Sequence, residues 1–187
     1  MTALADAIQS GRLAGAKISI VISDQPTAAG LVHAEQRGLK TLTIERSGRK
    51  REEHDHEIVE TLNQHQVDLV CLAGYMRLLS RHFLDAYAGR ILNIHPSLLP
   101  AFPGLDAQKQ ALEHGVKWTG CSVHLVDETL DGGPIIAQRV VPVFDHDTVA
   151  SLSARILEQE HRLYVEAVEI ISGGRHEVVG RRVVRKS

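Results

Sequence analysis

The sequence RILNIHPSLLPAFPG, at residues 90–104, contains a predicted strand that ends in an amide and an imidazole. Side chains alternate between two faces along a strand, so Asn93 and His95 share one face while Ile94 points to the other. Pro96 cannot donate to a strand ladder, and the strand is therefore predicted to end there. Both polar side chains are thus expected at the carboxyl end of a strand, where open α/β sheets bind ligands.

Strand-like and helix-like segments alternate on both sides of this stretch. Short β-branched or alternating runs predict further strands at 17–22, 40–45, 67–72, 119–126, 134–143 and 176–180. Helical patterns occupy 2–9, 27–37, 50–65, 81–88, a segment from Gly104 to about residue 114, and 147–172. Basic residues at 181–187 follow as a tail. The alternation predicts one α/β domain over 1–187, with a mostly parallel sheet flanked by helices.

Composition limits the classes of function. The chain has 187 residues, 43% apolar and 24% charged, which suits one globular domain. Its net charge of -2 gives no reason to expect nucleic acid or an anionic membrane as a partner. No run approaches the ~20 apolar residues of a membrane span. Two cysteines, Cys71 and Cys121, make no disulfide framework, so a reducing, cytoplasmic location is expected.

The polar residues of the strand ends suggest chemistry on a carbonyl group. An Asn amide can donate to an oxygen that gains negative charge, and one such donor contributes roughly 10²–10³ in rate. Histidine can move protons near neutral pH. Ser122 and His124 share a face of another predicted strand, and Asp131 follows in an acidic turn, where it would favour the charged form of His95. The residues alone leave open a simpler role for Asn93 and His95, which is to hydrogen-bond the proline-rich loop after them.

Four segments together resemble the phosphoribosylglycinamide formyltransferases, which are folate-dependent enzymes of purine biosynthesis. These segments are AGYMRLLS (73–80), ILNIHPSLLPAFPG (91–104), SVHLVDETLDGGPI (122–135) and EQEH (158–161). The resemblance runs from residue 1 to about residue 173. It implies a formyltransferase-type Rossmann-like fold and formyl transfer from 10-formyltetrahydrofolate to the glycine amine of glycinamide ribonucleotide. The family reaction needs no metal.

The resemblance also implies roles for individual residues. Asn93, His95 and Asp131 match the catalytic trio of the family. In that trio the amide and the protonated ring stabilise a tetrahedral oxyanion, and the acid keeps the ring charged and organises a proton-carrying water. Ser122 and His124 are similar to supporting residues behind the trio, although a purely structural role for His124 stays open.

Further positions match the ligand-binding residues of the family. Glu160 matches the acid that binds the ribose of the ribonucleotide, with an exposed helix glutamate as the alternative. Among the positions that match folate-binding residues, 76–79 could instead be a connecting loop without a ligand, and Arg51 could be one of several cations at the start of a charged helix. The positions that match folate-contacting residues are Arg51, Met76, Arg77, Leu78, Leu79, Asn93, Val126 and Asp127.

The start of the sequence departs from the family pattern. Family members begin with a β-strand and a Gly-x-Gly-Ser-Asn loop whose backbone N–H groups hold the substrate phosphate at a helix N-terminus. Met1 falls directly after the position of that Asn, so we expect it to be an internal methionine of a longer natural chain. The first strand is central in such a sheet, and its neighbours are expected to have unpaired edges. If the 187-residue form is itself the natural protein, it is expected to use the phosphorylated substrate weakly or not at all.

Two other functions stay open, a folate-binding remnant without turnover and a formyltetrahydrofolate hydrolase in which water replaces the amine. A homodimer is compatible with the sequence. His54, Asp55 and His56 are predicted to be solvated helix surface rather than a metal site, because a spacing of two points them to different faces. Cys71 is expected to be an inert core thiol, and Cys121 lacks a base that would make it a nucleophile.

Overall fold

The computed structural model describes residues 1–186 and shows the predicted alternation of strands and helices. Its helices are α1 (Thr2–Gln9), α2 (Ala29–Glu35), α3 (Arg51–Gln64), α4 (Arg81–Ala86), α5 (Ala107–Glu113) and α6 (Val149–Ser172). Its strands are β1 (Val21–Ser23), β2 (Thr41–Thr43), β3 (Val70–Leu72), β4 (Ile91–His95), β5 (Trp118–Leu125), β6 (Ile135–Pro142), β7 (His176–Val179) and β8 (Arg182–Arg185). The predicted α/β class is confirmed. Among residues 1–186, no helix combines the length and apolar character needed to cross a membrane.

The strands form two separate sheets. Strands β1 and β2 pair in parallel, and the other six form one sheet in the order β3-β4-β5-β6-β8-β7. Pairs β3–β4 and β6–β8 are parallel, while β4–β5, β5–β6 and β7–β8 are antiparallel. Within the described residues β1 pairs only with β2, and β3 only with β4. Strands β1 and β3 therefore each have one edge without a strand partner among these residues.

Hydrophobic cores lie on both faces of the larger sheet. Along β4, Ile91 packs with apolar residues of α3 and α4, whereas Leu92 packs with those of α6. Neighbouring side chains of one strand enter different cores because they point to opposite faces. Asn93 and His95 follow Ile91 at intervals of two, so they lie on the face covered by α3 and α4.

Two segments differ from the sequence-based prediction. Of the strand expected at 17–22, only Val21 and Ile22 are paired, and the pairing continues to Ser23, because β2 supplies partners for these three residues alone. The basic residues expected to be a tail instead form β8 at Arg182–Arg185, so that prediction was wrong. Strand β8 inserts between β6 and β7, and Val183 packs against the core beside α6. Burial of this valine and pairing with two strands order a segment whose charges suggested a free terminus.

Helix α3 buries two residues that were predicted to be solvated. His54 and Asp55 have 1% and 0% of their surface exposed, and only His56 faces solvent as expected. Residues four apart lie on the same helix face, so His54 and Asp55 share a face with Ile58 and Val59. The apolar residues predicted to point inward on that face are all buried; these are Ile58, Val59 and Leu62.

Candidate active site

Strands β4 and β5 bring polar side chains together on one face of the sheet. Their antiparallel register places Asn93 opposite His124 and His95 opposite Ser122. Directly opposed residues on one face lie within reach of each other. The two sequence motifs that were singled out separately therefore form one cluster at the end of β4.

Asp131 completes this cluster from the turn between β5 and β6. Its Oδ2 lies 3.4 Å from His95 Nδ1, and its Oδ1 lies 3.6 Å from His124 Nε2. The backbone N–H of Gly104 donates to Oδ2 at 2.8 Å. The side chain is only 10% exposed, so the carboxylate is held between two rings and one backbone donor.

The surroundings of Asp131 favour its ionised form. Burial is the largest influence and opposes ionisation, but hydrogen bonds from His124 and from the Gly104 N–H act the other way, together with the charge of His95. The net result is that the pKa of Asp131 is lowered below its ordinary value. A negative charge is thus maintained beside both imidazoles.

Glycine is required where the turn returns to the strand. A Cβ atom at Gly133 would lie 1.9 Å from the backbone oxygen of Leu125. That approach accompanies the hydrogen bond from the Leu125 N–H to the Pro134 oxygen at 2.9 Å. Asp131 itself has a positive φ of 48°, a conformation that Asp tolerates better than most residues. Close backbone packing in this turn fixes the direction of the Asp131 carboxylate.

His95 has a second partner that the sequence did not indicate. Its Nε2 lies 2.8 Å from the backbone oxygen of Phe102, and the residue is 5% exposed. A carbonyl oxygen can only accept, so Nε2 carries a proton. With Asp131 beside Nδ1, the ring has an acceptor next to each nitrogen.

His124 links the amide to the acid. Its Nδ1 donates to the Leu125 oxygen at 2.9 Å, and its Nε2 lies 3.3 Å from Asn93 Nδ2. His124 is 2% exposed and Asn93 is half-buried. His124 therefore contacts both Asn93 and Asp131 directly, which is closer than the supporting position that the resemblance implied.

Ser122 holds a loop rather than the trio. Its hydroxyl donates to the Ser97 oxygen at 2.7 Å and accepts from the Leu99 N–H at 3.0 Å. Gln138 on β6 donates to the same hydroxyl at 2.8 Å. These bonds attach the proline-rich loop after His95 to the sheet, alongside the contact of His95 Nε2 with the Phe102 oxygen of the same loop.

The loop between β3 and α4 contains four of the predicted folate positions. Met76 and Leu78 are 74% and 51% exposed, so both present apolar surface to solvent. Arg77 is half-buried and donates to His54. Leu79 is 8% exposed, and its side chain packs in the core beside α3 and α4.

The remaining predicted folate residues lie at the same edge. Arg51 is exposed at the start of α3 and pairs with Glu52 at 3.2 Å. It shares a helix face with His54, which in turn contacts the loop that contains Arg77. Val126 is half-buried against the core beside α3 and α4. Asp127 is exposed, and its carboxylate accepts from the Thr129 N–H at 2.8 Å.

Glu160 lies on the other side of β5. Its charge acts on Cys121, whose side chain alternates with those of Ser122 and His124 and points toward α6. Burial raises the pKa of Glu160. It makes no hydrogen bond to the trio within the described residues. Burial, followed by the charge of Glu160, raises the pKa of Cys121 to about 12, and a thiol in that state is a poor nucleophile.

Sequence reasoning missed three contributors to this region. Two are backbone groups, the Phe102 oxygen and the Gly104 N–H, for which the residue types gave no signal. The third is His54, whose burial could have been inferred from its spacing to the apolar residues of α3. Across residues 1–186 no group of three or more His, Cys, Asp or Glu side chains is placed to hold a metal ion.

Comparison with known proteins adds independent information. A family model described as formyl transferase matches residues 1–168. The chain is 43% identical to phosphoribosylglycinamide formyltransferase of Escherichia coli (strain K12) over 176 residues, covering 94% of this chain and 82% of that protein. It is 48% identical over 160 residues to the trifunctional purine biosynthetic protein adenosine-3 of Homo sapiens, covering 85% of this chain but only 16% of the human protein.

Solved structures agree with these relationships. The crystal structure of glycinamide ribonucleotide transformylase 1 from Symbiobacterium toebii has a TM-score of 0.96 and 49% identity, covering 99% of this chain and 87% of that one. A formyltetrahydrofolate deformylase from Pseudomonas syringae pv. tomato has a TM-score of 0.90 at 29% identity, but this chain covers only 61% of it. The chain therefore belongs to the formyl transferase family, within its phosphoribosylglycinamide formyltransferase group.

Proposed function

We propose that this chain transfers a formyl group from 10-formyltetrahydrofolate to the glycine amine of glycinamide ribonucleotide. One observation supports this above all others, the Asp131 carboxylate 3.4 Å from the ring of His95 with the Asn93 amide on the same face. The cluster offers two N–H donors and a nearby carboxylate. These are the groups required where an amine attacks a carbonyl carbon and negative charge appears on its oxygen.

The reaction proceeds through a tetrahedral intermediate. The amine nitrogen forms a bond to the formyl carbon while the carbonyl electron pair moves to oxygen. Asn93 and the charged ring of His95 stabilise that oxygen, and Asp131 keeps the ring charged. The bond from carbon to the folate nitrogen then breaks, and a water beside Asp131 carries the proton from the attacking amine to the leaving nitrogen.

The reacting oxygen of the substrate must compete with protein acceptors for the ring N–H groups of His95. Both ring nitrogens already have neighbours, Asp131 at Nδ1 and the Phe102 oxygen at Nε2. We expect the segment around Phe102 to shift when the formyl donor binds, so that the Nε2–H points at the reacting oxygen. A ligand complex that retains the 2.8 Å contact would contradict this step.

Binding of the two substrates divides between separate regions. Exposed Met76 and Leu78 suit the flat face of the pteridine ring, while Arg77 and Arg51 supply positive charge for the folate carboxylates. Glu160, half-buried on α6, is assigned to the ribose hydroxyls. These assignments rest on the resemblance in sequence and on the exposure of the side chains.

Three product measurements test the proposal. The full chain is incubated with both substrates, and formylated ribonucleotide and tetrahydrofolate are measured together. Equal amounts of both products support transfer. Free formate without the amine substrate would instead identify a hydrolase, and folate binding with no product would identify a remnant without turnover.

A further inference from the structure

His54 is a buried histidine to which neither the resemblance nor the proposed reaction gives a role. It lies in the first turn of α3 and is 1% exposed. Its Nε2 is 2.8 Å from the backbone oxygen of Ile44, just beyond β2, and its Nδ1 is 3.2 Å from an Nη atom of Arg77. The ring therefore connects the helix, the β2 end and the loop between β3 and α4.

These two partners determine the protonation state of the ring. The Ile44 oxygen can only accept, so Nε2 must carry a proton. The guanidinium of Arg77 can only donate, so Nδ1 must offer its lone pair. A hydrogen bond from Arg77 to this ring thus requires the neutral Nε2–H tautomer of His54.

We propose that His54 is a positioning residue for the formyl donor and acts by holding Arg77 through the lone pair of Nδ1. This inference rests on the proposed function, because it takes the loop that contains Arg77 as the folate-binding loop. Met76 and Leu78 flank Arg77 and are strongly exposed. Leu79 and Ser80 anchor the end of the loop against α3, and the contact of Arg77 with His54 anchors the part that lies between Met76 and Leu78. Holding Arg77 therefore presents its two apolar neighbours to the ligand.

Asp55 is an alternative partner for His54 Nδ1, which contacts Arg77. One oxygen of its fully buried carboxylate accepts from the Ser80 N–H at 2.6 Å. The other, Oδ1, has no hydrogen-bond partner and lies 3.7 Å from His54 Nδ1. If Nδ1 gained a proton, it would lose its lone pair for Arg77, repel the guanidinium and donate to Asp55 instead. A proton on Nδ1 is therefore incompatible with the contact to Arg77.

The other ionisable groups in this region do not take the place of Asp55 as a partner for a protonated Nδ1. Tyr75 lies on the same loop, and its burial, followed by the charge of Asp55, raises its pKa to about 12, so it stays neutral. Asp24 and Arg46 act on Tyr75 from the ends of β1 and β2 with opposite signs. Arg51 at the start of α3 pairs with Glu52. The group facing Nδ1 with an unused buried oxygen is Asp55.

Two substitutions separate the two nitrogens of the ring. His54→Asn keeps an oxygen acceptor near the Nδ1 position, whereas His54→Gln keeps a donor near Nε2 and loses the acceptor. We expect His54→Gln to raise KM for 10-formyltetrahydrofolate about 10-fold, the loss typical of one hydrogen bond from a charged donor. We expect His54→Asn to stay within about 3-fold of the parent KM, with kcat and the KM for the amine substrate little changed in both variants. His56→Gln on the exposed side of the same helix is the matched control.

A double-mutant cycle completes the test. In an Arg77→Met background, the effect of His54→Gln should vanish, because the two residues act through one contact. An unchanged KM in His54→Gln, or an undiminished effect without Arg77, would overturn the inference.

Failure of the proposed function would be recognised separately. Nitrogen NMR of the ring in the free protein at about pH 8 reports the tautomer without any substrate. An Nε2–H ring in a chain without folate binding or formyl transfer would refute the function while leaving the contact intact. An Nδ1–H or doubly protonated ring at that pH would refute the positioning role even in an active enzyme. This measurement uses the parent protein, so it remains decisive if a His54 variant does not fold.

Discussion

Replacing Asp131 by asparagine removes one charge from the centre of the cluster and nearly conserves its shape. The variant can still accept the Gly104 N–H bond through its amide oxygen. What it loses is the negative charge 3.4 Å from His95 and 3.6 Å from His124. The ring of His95 then has no anion to favour its charged form while oxyanion charge develops on the substrate.

The size of the effect follows from these distances. At 3.4 Å, two unit charges in an effective dielectric constant of ~20 attract by about 5 kcal/mol. Desolvation of the buried carboxylate offsets part of that attraction. We therefore expect kcat to fall roughly 10²–10³-fold, which corresponds to about 3–4 kcal/mol of lost transition-state stabilisation.

The assay is steady-state formyl transfer in parent and Asp131→Asn protein, combined with direct titration of a folate analogue. Folate binding should remain measurable in the variant, because Met76, Leu78 and Arg77 are untouched. Glu128→Gln is the matched control, since it neutralises an exposed carboxylate of the same turn that faces Arg81. Turnover by Asp131→Asn that matched the control across about pH 6–9 would remove Asp131 from the mechanism.

Three further predictions concern stability and can be checked by urea unfolding. The pKa of Asp131 is depressed in the folded state, so the stabilisation by this carboxylate is complete above its unfolded pKa and is lost as pH falls through its folded pKa. Below about pH 4, the free energy of unfolding should therefore fall more in the parent protein than in Asp131→Asn. Tyr164→Phe removes the hydroxyl that lies 2.6 Å from the Leu72 oxygen of β3 and 3.1 Å from the Leu92 oxygen of β4. The free energy of unfolding should fall by about 1–3 kcal/mol, and an unchanged value would mean that water replaces the hydroxyl. Gly120→Ala would place a Cβ 1.9 Å from the Arg139 oxygen, so it should destabilise by about 1–3 kcal/mol or more, and an unchanged midpoint would show that the β5–β6 ladder yields easily.

The residues near the site show how far local reasoning extends. The alternation along β4 correctly placed Asn93 and His95 on one face, because strand geometry depends only on the backbone. The pairing of β4 with β5 involves segments about thirty residues apart, and no local pattern states which residue opposes which. His54 shows the opposite case, since its i, i+4 spacing to Ile58 indicates burial while the run His54, Asp55 and His56 was predicted to be solvated.

The sequence by itself determined the α/β class, the approximate positions of most elements and the common face of Asn93 and His95, because periodicity is a local property. The grouping of these two residues with Asp131 as a trio came from the family resemblance. Tertiary structure alone decided that His124 contacts both Asn93 and Asp131. It also decided that the Phe102 oxygen accepts from His95 Nε2 and that Arg77 contacts His54 Nδ1. Those contacts depend on strand register and loop path. Both are set by burying apolar surface across the whole fold, and a short segment does not contain that information.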